Sequence, residues 1–444
     1  MKFIETLKNV WKIEELRNRI MVTLGLLLVY RFGAQVVLPG IDASRLAEFS
    51  GKFDAGGIGG LLNAFTGGAF ANASVFALGI MPYISASIVV QLMQIAVPYL
   101  QKLQKEGESG RKKINQITRW LTIGICLIQA PSYLFGLEAL GVPSAAFILG
   151  KTPMFFVSST IILVTGCVFA MWLGEKITDK GIGNGISILI MVGIIATLPL
   201  SFAQEYASSS SMLVLIELVI WFVIILLSVL LVMAVRKIPV QYARRTASGE
   251  YEKNIFGARQ FIPLKLNASG VMPIIFAQAI MFVPSFLGGV SFMKDSSVGQ
   301  WMQASFSDMF GLWYNITFAL LIIVFTYFYT AITVPTNKMA DDLKRSGGFI
   351  PGIKPGGETA EFLDKIMSQI TLPGSVFLAL IAIFPAIVVK FLGVQTGWAL
   401  FFGGTSLLIM VGVAIDTMQQ INSFLLNRHY DGLMKTGKNR KAVV

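Results

Sequence analysis

The chain is 444 residues long, 55% hydrophobic and only 14% charged, with a net charge of +12 and a mean hydropathy of +0.70. A water-soluble domain carries about 25% charged residues, so this composition excludes an ordinary solvated surface. What remains is a chain in which apolar stretches of about 20 residues, each long enough to cross a hydrocarbon layer, recur from end to end.

Ten such stretches follow one another, at 20–37, 74–97, 117–137, 154–173, 182–200, 212–235, 266–286, 312–334, 370–391 and 398–425. No N-terminal signal peptide is evident, because residues 1–20 are amphipathic and set Glu5, Glu14 and Glu15 among basic residues. Thirty of the 36 Lys and Arg residues fall in the N-terminus, in the loops after spans 2, 4, 6 and 8, and in the C-terminal tail. The other six are Arg31, Arg45, Lys52, Lys151, Lys294 and Lys390. Basic residues collect in cytoplasmic loops, so this alternation predicts ten spans with both termini cytoplasmic. The same bias accounts for a net charge that in a soluble protein would point to nucleic acid. Ten spans divide into halves of five, 1–200 and 201–444, and an odd number per half inverts the second half in the membrane, as in many transport folds.

Cys126 and Cys167 both sit in apolar runs and are expected to be buried free thiols. A lone histidine, His429, leaves no zinc site or histidine-based active site to expect, and no cofactor is called for. Few charges fall within the spans, chiefly Glu217 and Asp416, whereas ion-coupled transporters bury charges near the midplane. The run Gly181-Ile182-Gly183-Asn184-Gly185 follows no strand, so it is not a dinucleotide-binding loop.

Three patterns bear on function. Residues 56–68 form an apolar segment too short to span, holding Gly57, Ile58, Leu61, Leu62, Asn63 and Phe65 between glycine pairs. It reads either as a short re-entrant helix hinged at its glycines or as an ordinary interfacial loop. Ile80 and Ile84, and again Ile186 and Ile190, stand four residues apart and share a helix face. Isoleucines in membrane helices usually face lipid or a neighbouring helix, and Ile224 in span 6 is expected to face lipid. The loops after spans 6 and 8 carry Arg236, Lys237, Arg244 and Arg245, and then Lys344, Arg345 and Lys354, among proline, glycine and aromatic residues. Both are longer than connectors need. They serve either to dock a large acidic or RNA-bearing partner or only to set orientation.

The chain resembles the SecY family, the pore subunits of the Sec protein translocon, along nearly its whole length. The resemblance rests on 76–87, FALGIMPYISAS, on 105–111, KEGESGR, on 171–175, MWLGE, and on 181–187, GIGNGIS. It continues through 263–267, PLKLN, then 347–356 and 403–409, GGTSLLI. It implies an all-α membrane protein, ten transmembrane helices in two pseudo-symmetric inverted five-helix halves around a central hourglass pore. Residues 56–68 would be a plug. Ile80, Ile84, Ile186, Ile190, Ile275 and Ile409 would form an apolar ring that water leaves, kept in shape by stiff branched side chains. Spans 2 and 3 would face spans 7 and 8 across a lateral gate carrying Ser85, Ser87, Thr122, Gln129 and Asn267. The basic loops, at 236–263 and 335–369, would dock a SecA-like motor or the ribosome. SecE-like and SecG-like small subunits, signal sequences, translocating polypeptides and the lipid bilayer complete the implied partners, in the cytoplasmic (inner) membrane. The family usually carries arginine where this chain has Lys354, which keeps the charge but loses the planar fork.

On this reading the chain is a protein-conducting channel and not an enzyme. It passes unfolded polypeptides across the membrane and releases membrane segments sideways. The main alternative is a secondary solute transporter with five-plus-five inverted repeats. A membrane-embedded enzyme would need clustered histidines or carboxylates within the spans, and the sequence offers none.

Overall fold

The computed structural model describes residues 13–42, 58–139, 152–242, 260–268, 270–289 and 296–440, with Trp11, Leu46 and Phe147 besides. Gly57, Arg244 and Arg245 lie outside the described residues, as do Arg45, Lys52, Lys151 and Lys294; of Ile58 and Leu61 only the backbone is described.

The elements run α1 (Glu14–Gly33), α2 (Ile58–Thr66), α3 (Met81–Ala96), α4 (Pro98–Lys105), α5 (Glu108–Ala139), α6 (Pro153–Lys180), α7 (Gly185–Ser208) and α8 (Ser211–Met233). Then come β1 (Val235–Tyr242), β2 (Gln260–Lys265), α9 (Met272–Gly289), α10 (Ser297–Ser307), α11 (Leu312–Thr333), α12 (Thr336–Arg345), β3 (Gly348–Phe349), α13 (Gly357–Leu392), α14 (Thr396–Ala399) and α15 (Gly404–Arg440). Each of the ten apolar stretches carries a helix. Seven of the described helices are long and apolar enough to cross a membrane, eight if α3 and α4 count as one bent span. The architecture is a multi-pass all-α membrane fold.

Several helix ends differ from the sequence reading, and each for a local reason. Span 2 was expected from residue 74, but residues 75–80 form turns and α3 begins at Met81. Gly79 has φ +54, a left-handed conformation that interrupts a helix. Pro82 then occupies the first turn of α3, where its missing N–H costs nothing. Span 7 was expected from residue 266, but β2 runs to Lys265 and a turn with Gly270 at φ +64 precedes α9. Span 10 is interrupted: α14 stops at Ala399, and α15 starts at Gly404, itself at φ +65. Span 5 starts later than expected because Asn184 caps α7, its Oδ1 accepting from the Ser187 N–H at 3.4 Å. Span 1 lies earlier, its helix ending at Gly33. Ile224 is 4% exposed, so the lipid-facing position expected for it is wrong; the apolar run of α8 hides which of its faces is covered.

The chain divides into two compact units. The first holds residues 1–214 with 394–401 and 409–444; the second holds 215–393 with 402–408. Within the first, α5 packs on α3 and α6, α6 on α7, and α1 on α6 and α7. The extended segments after α1 close this unit, with the Leu38 N–H donating to the Ala73 carbonyl at 2.9 Å and that of Val75 to the Val36 carbonyl at 2.9 Å. Within the second, α11 packs on α9 and α13, and α12 on α13.

The second unit also contains a feature the sequence reading did not foresee. β1 pairs antiparallel with β2, Ile238 opposite Ile262, and with β3, Gln241 opposite Phe349. The sheet order is β2-β1-β3, so the two long basic loops are stitched into one small sheet. Ile238 and Val240 alternate with exposed neighbours, as a half-buried strand requires. They join Leu264, Leu343, Ile350, Leu363 and Met367 in an apolar core beneath the sheet.

Candidate functional site

Five of the six ring isoleucines belong to the first unit. Ile80 is the residue before α3 and Ile84 lies one turn in, its N–H donating to the Ile80 carbonyl at 3.1 Å. Ile80, Ile84 and Ile190 line one void together with Tyr30, Met81 and two α2 residues, Phe65 and Thr66. The void offers water only about 10 Å³, at the lower bound for holding one molecule. Five of its seven lining residues are apolar; of the other two, Tyr30 and Thr66, the Thr66 hydroxyl is already engaged by the Leu62 carbonyl and the Phe70 N–H. Ile186 is directed elsewhere: its Cγ1 lies 2.9 Å from where a side chain on Gly174 would begin. Ile409 is buried on α15. Ile275 is half-buried near the start of α9, in the second unit.

The segment read as either helix or loop is a helix, α2, and it lies against α7. The approach is close because Gly193 has no side chain. A Cβ there would stand 2.5 Å from the Phe65 carbonyl oxygen and 3.2 Å from the Gly67 nitrogen. Asn63, Ala64, Phe65 and Thr66 are buried and Leu62 half-buried. The C-terminal end of α2 is densely tied. The Asn63 carbonyl accepts from the Gly68 N–H at 2.9 Å and its Oδ1 from that of Ala71 at 3.0 Å. The Thr66 hydroxyl donates to the Leu62 carbonyl at 2.9 Å and accepts from the Phe70 N–H at 3.0 Å. Gly67 and Gly68 follow at φ +66 and +90, the left-handed turn that commonly ends a helix. Arg31 of α1 donates from a guanidinium nitrogen to the Gly67 carbonyl at 2.5 Å.

The gate residues are placed on their elements as follows. Thr122 is buried, and its hydroxyl donates to the Thr118 carbonyl of its own helix at 2.8 Å. Ser87 is half-buried and accepts from the Gln91 amide at 3.1 Å. Both polar groups are thus satisfied within one helix. Ser85 is half-buried, Gln129 exposed, and Asn267 buried in the turn before α9.

Of the docking residues, Arg236 and Lys237 are exposed on β1, and Lys344 and Arg345 are exposed at the end of α12. Lys354 is exposed and pairs with Glu358 at 3.5 Å, a contact worth little at a solvated surface.

Comparison with known proteins decides the family. Residues 74–418 match the family model for SecY. The protein translocase subunit SecY of Staphylococcus carnosus is 39% identical over 440 residues, covering 96% of this chain and 99% of its own. The chain belongs to the SecY family. The SecY subunit of Chlamydia trachomatis serovar D is 38% identical over 456 residues, covering 97% and 98%. Among solved structures, a protein-conducting channel covers 92% of each chain at 16% identity, with a TM-score of 0.59. A SecY protein whose plug domain stabilises the closed state of its channel does so at 16% identity and 0.61. These structures speak to fold, while the translocase subunits speak to function. As a SecY member at this identity and coverage, the chain is a protein translocation channel, not a solute carrier.

Sequence reasoning missed Tyr30, Gly193 and the contact made by Arg31. Nothing in residue type sets Tyr30 apart from the other tyrosines, or Gly193 from the other glycines, of the chain. Arg31 did carry a signal, as one of only six basic residues on the outer side of the charge split.

Proposed function

We propose that this chain is the pore subunit of a protein translocase, sealed at rest by α2 seated on an isoleucine constriction. The observation that carries this reading is the near-waterless void that Phe65 and Thr66 share with Ile80, Ile84 and Ile190. A constriction lined by branched apolar side chains excludes ions by dewetting, and it grips no polypeptide sequence in particular. With Ile409 of the same unit, these isoleucines form the constriction through which unfolded polypeptide passes. Apolar segments of the passenger leave the channel sideways into lipid. The chain makes and breaks no covalent bonds. A SecA-like motor ATPase or the ribosome, docked on the basic sheet, supplies the work, and SecE-like and SecG-like subunits complete the assembly.

The test is resting conductance in planar bilayers. Ile84→Asn should admit water and raise it about tenfold, equivalent to ~1.4 kcal/mol of closing free energy. Ile84 is half-buried, which makes it a milder site than Ile409, whose 2% exposure means asparagine there would also disturb packing. Leu230, 59% exposed on α8, is the lipid-facing control, and Leu230→Asn should leave conductance at the parental level. A silent Ile84→Asn channel would remove this residue from the pore.

The charge split supports a cytoplasmic-membrane protein with both termini in the cytoplasm. Lys344→Cys and Lys390→Cys, both at exposed positions, should therefore react with an impermeant maleimide from opposite faces of the membrane. Labelling of both from one face would overturn the topology.

A further inference from the structure

Arg31 is a cation in the last turn of a membrane helix, on the side of the charge split where cations are rare. Such a residue is costly in a membrane and usually has a specific partner. Here the partner is the carbonyl of Gly67, at 2.5 Å, just beyond the C-terminal end of α2. Two effects converge on that bond. A charged donor makes a stronger hydrogen bond than a neutral one, and a cation is favoured at the carbonyl end of a helix. The fit also depends on glycine. A side chain on Gly67 would begin 2.7 Å from the Arg31 guanidinium and 2.9 Å from the Gly193 Cα. The guanidinium therefore reaches the backbone only because residue 67 has no side chain.

We propose that Arg31 is a positioning residue for gating: it latches the C-terminal end of α2 in its seat, and α2 leaves the constriction only when that hydrogen bond breaks. The proposal rests on the reading of α2 as the plug. Once that bond breaks, α2 is free to swing about Gly67 and Gly68, whose left-handed angles already mark a turn.

The experiment uses Phe65→Cys as reporter, in the full complex in mild detergent, with a maleimide as probe. Phe65 is 9% exposed, and the native Cys126 and Cys167 are buried, so background labelling is slow. Arg31→Met should raise the labelling rate about tenfold or more, the loss of one charge-assisted hydrogen bond. It should raise resting conductance in bilayers in parallel, without lowering the melting temperature. Arg31→Lys, which keeps charge and donors, should restore most of the seal. If Arg31→Met fails to accumulate, Arg31→Gln carries the same test, since its amide ends two bonds short of the guanidinium nitrogens. Parental labelling in the folded neutral variant would overturn the latch. Gly193→Leu separates the two levels. If it labels fast while the Arg31 variants do not, the latch is wrong and the plug stands. If none of them labels faster, α2 is not a plug and both readings fall.

Discussion

Leucine in place of Gly193 is expected to give a channel that folds, inserts and leaks at rest. The Cβ alone would lie 2.5 Å from the Phe65 carbonyl oxygen, closer than any real contact, and the atom it meets is backbone. Backbone cannot rotate aside, so α2 must move as a unit. The host helix does not suffer in the same way. Within a helix, leucine is favoured over glycine by roughly 0.5–1 kcal/mol, so α7 itself is not weakened. What is lost is the seat: the buried contacts of Asn63, Ala64, Phe65 and Thr66 and the bond from Arg31. Conductance at rest should approach that of a channel held open, while yield and melting temperature stay near parental. Gly193→Ala brings the same Cβ and should shift conductance in the same direction by less. A channel that remains silent with leucine at 193 would show that α2 is not what closes it.

The second large effect is expected at the basic sheet. Arg236, Lys237, Lys344 and Arg345 are all exposed, and reversing them to glutamate together lowers the net charge from +12 by eight. Exposed side chains contribute little to stability, and the apolar core of Ile238, Val240 and Leu363 beneath is untouched. The fold should persist. Affinity for a SecA-like motor or for ribosomes should fall by about a hundredfold at low salt, because like charges would now face an acidic or phosphate-bearing surface. The slope of affinity against salt should flatten as well, since fewer counterions are released on binding. Equal affinity and equal slope for parent and variant would take this sheet out of the docking surface.

The spans were legible because crossing a hydrocarbon layer demands about 20 apolar residues, a signal that survives any choice of packing. Their ends were not legible to the same degree. Residues 75–80 are as apolar as a helix, yet Gly79 holds a left-handed angle and Phe76 stacks on Tyr30 at 5.5 Å; hydropathy averages over both. The three-stranded sheet was hidden because its core-facing alternation, Ile238 and Val240, occupies only one short turn of sequence beside a proline. The site is a mixed case. The i, i+4 pairs were visible in the sequence, but spacing could not say that Ile190 faces α2 while Ile186 faces Gly174. Gly193 was invisible as a functional residue, since its role lies wholly in what a side chain would have struck.

The first compact unit takes its last pieces from residues 394–401 and 409–444, and this bears on how the chain is made. The Glu205 carboxylate accepts from the Gln395 N–H at 2.9 Å, and the Gly183 N–H donates to the Gln420 side chain at 2.9 Å, across 190 and 237 residues of sequence. At about 5–20 residues per second, α7 leaves the ribosome well before Gln395 and Gln420 exist. Until then the Gly181–Asn184 loop and the Glu205 carboxylate wait without these partners. The first half is thus the first to be synthesised and among the last to be completed. A chain that stops near residue 390 would lack not only a span but the closing contacts of the unit it began with.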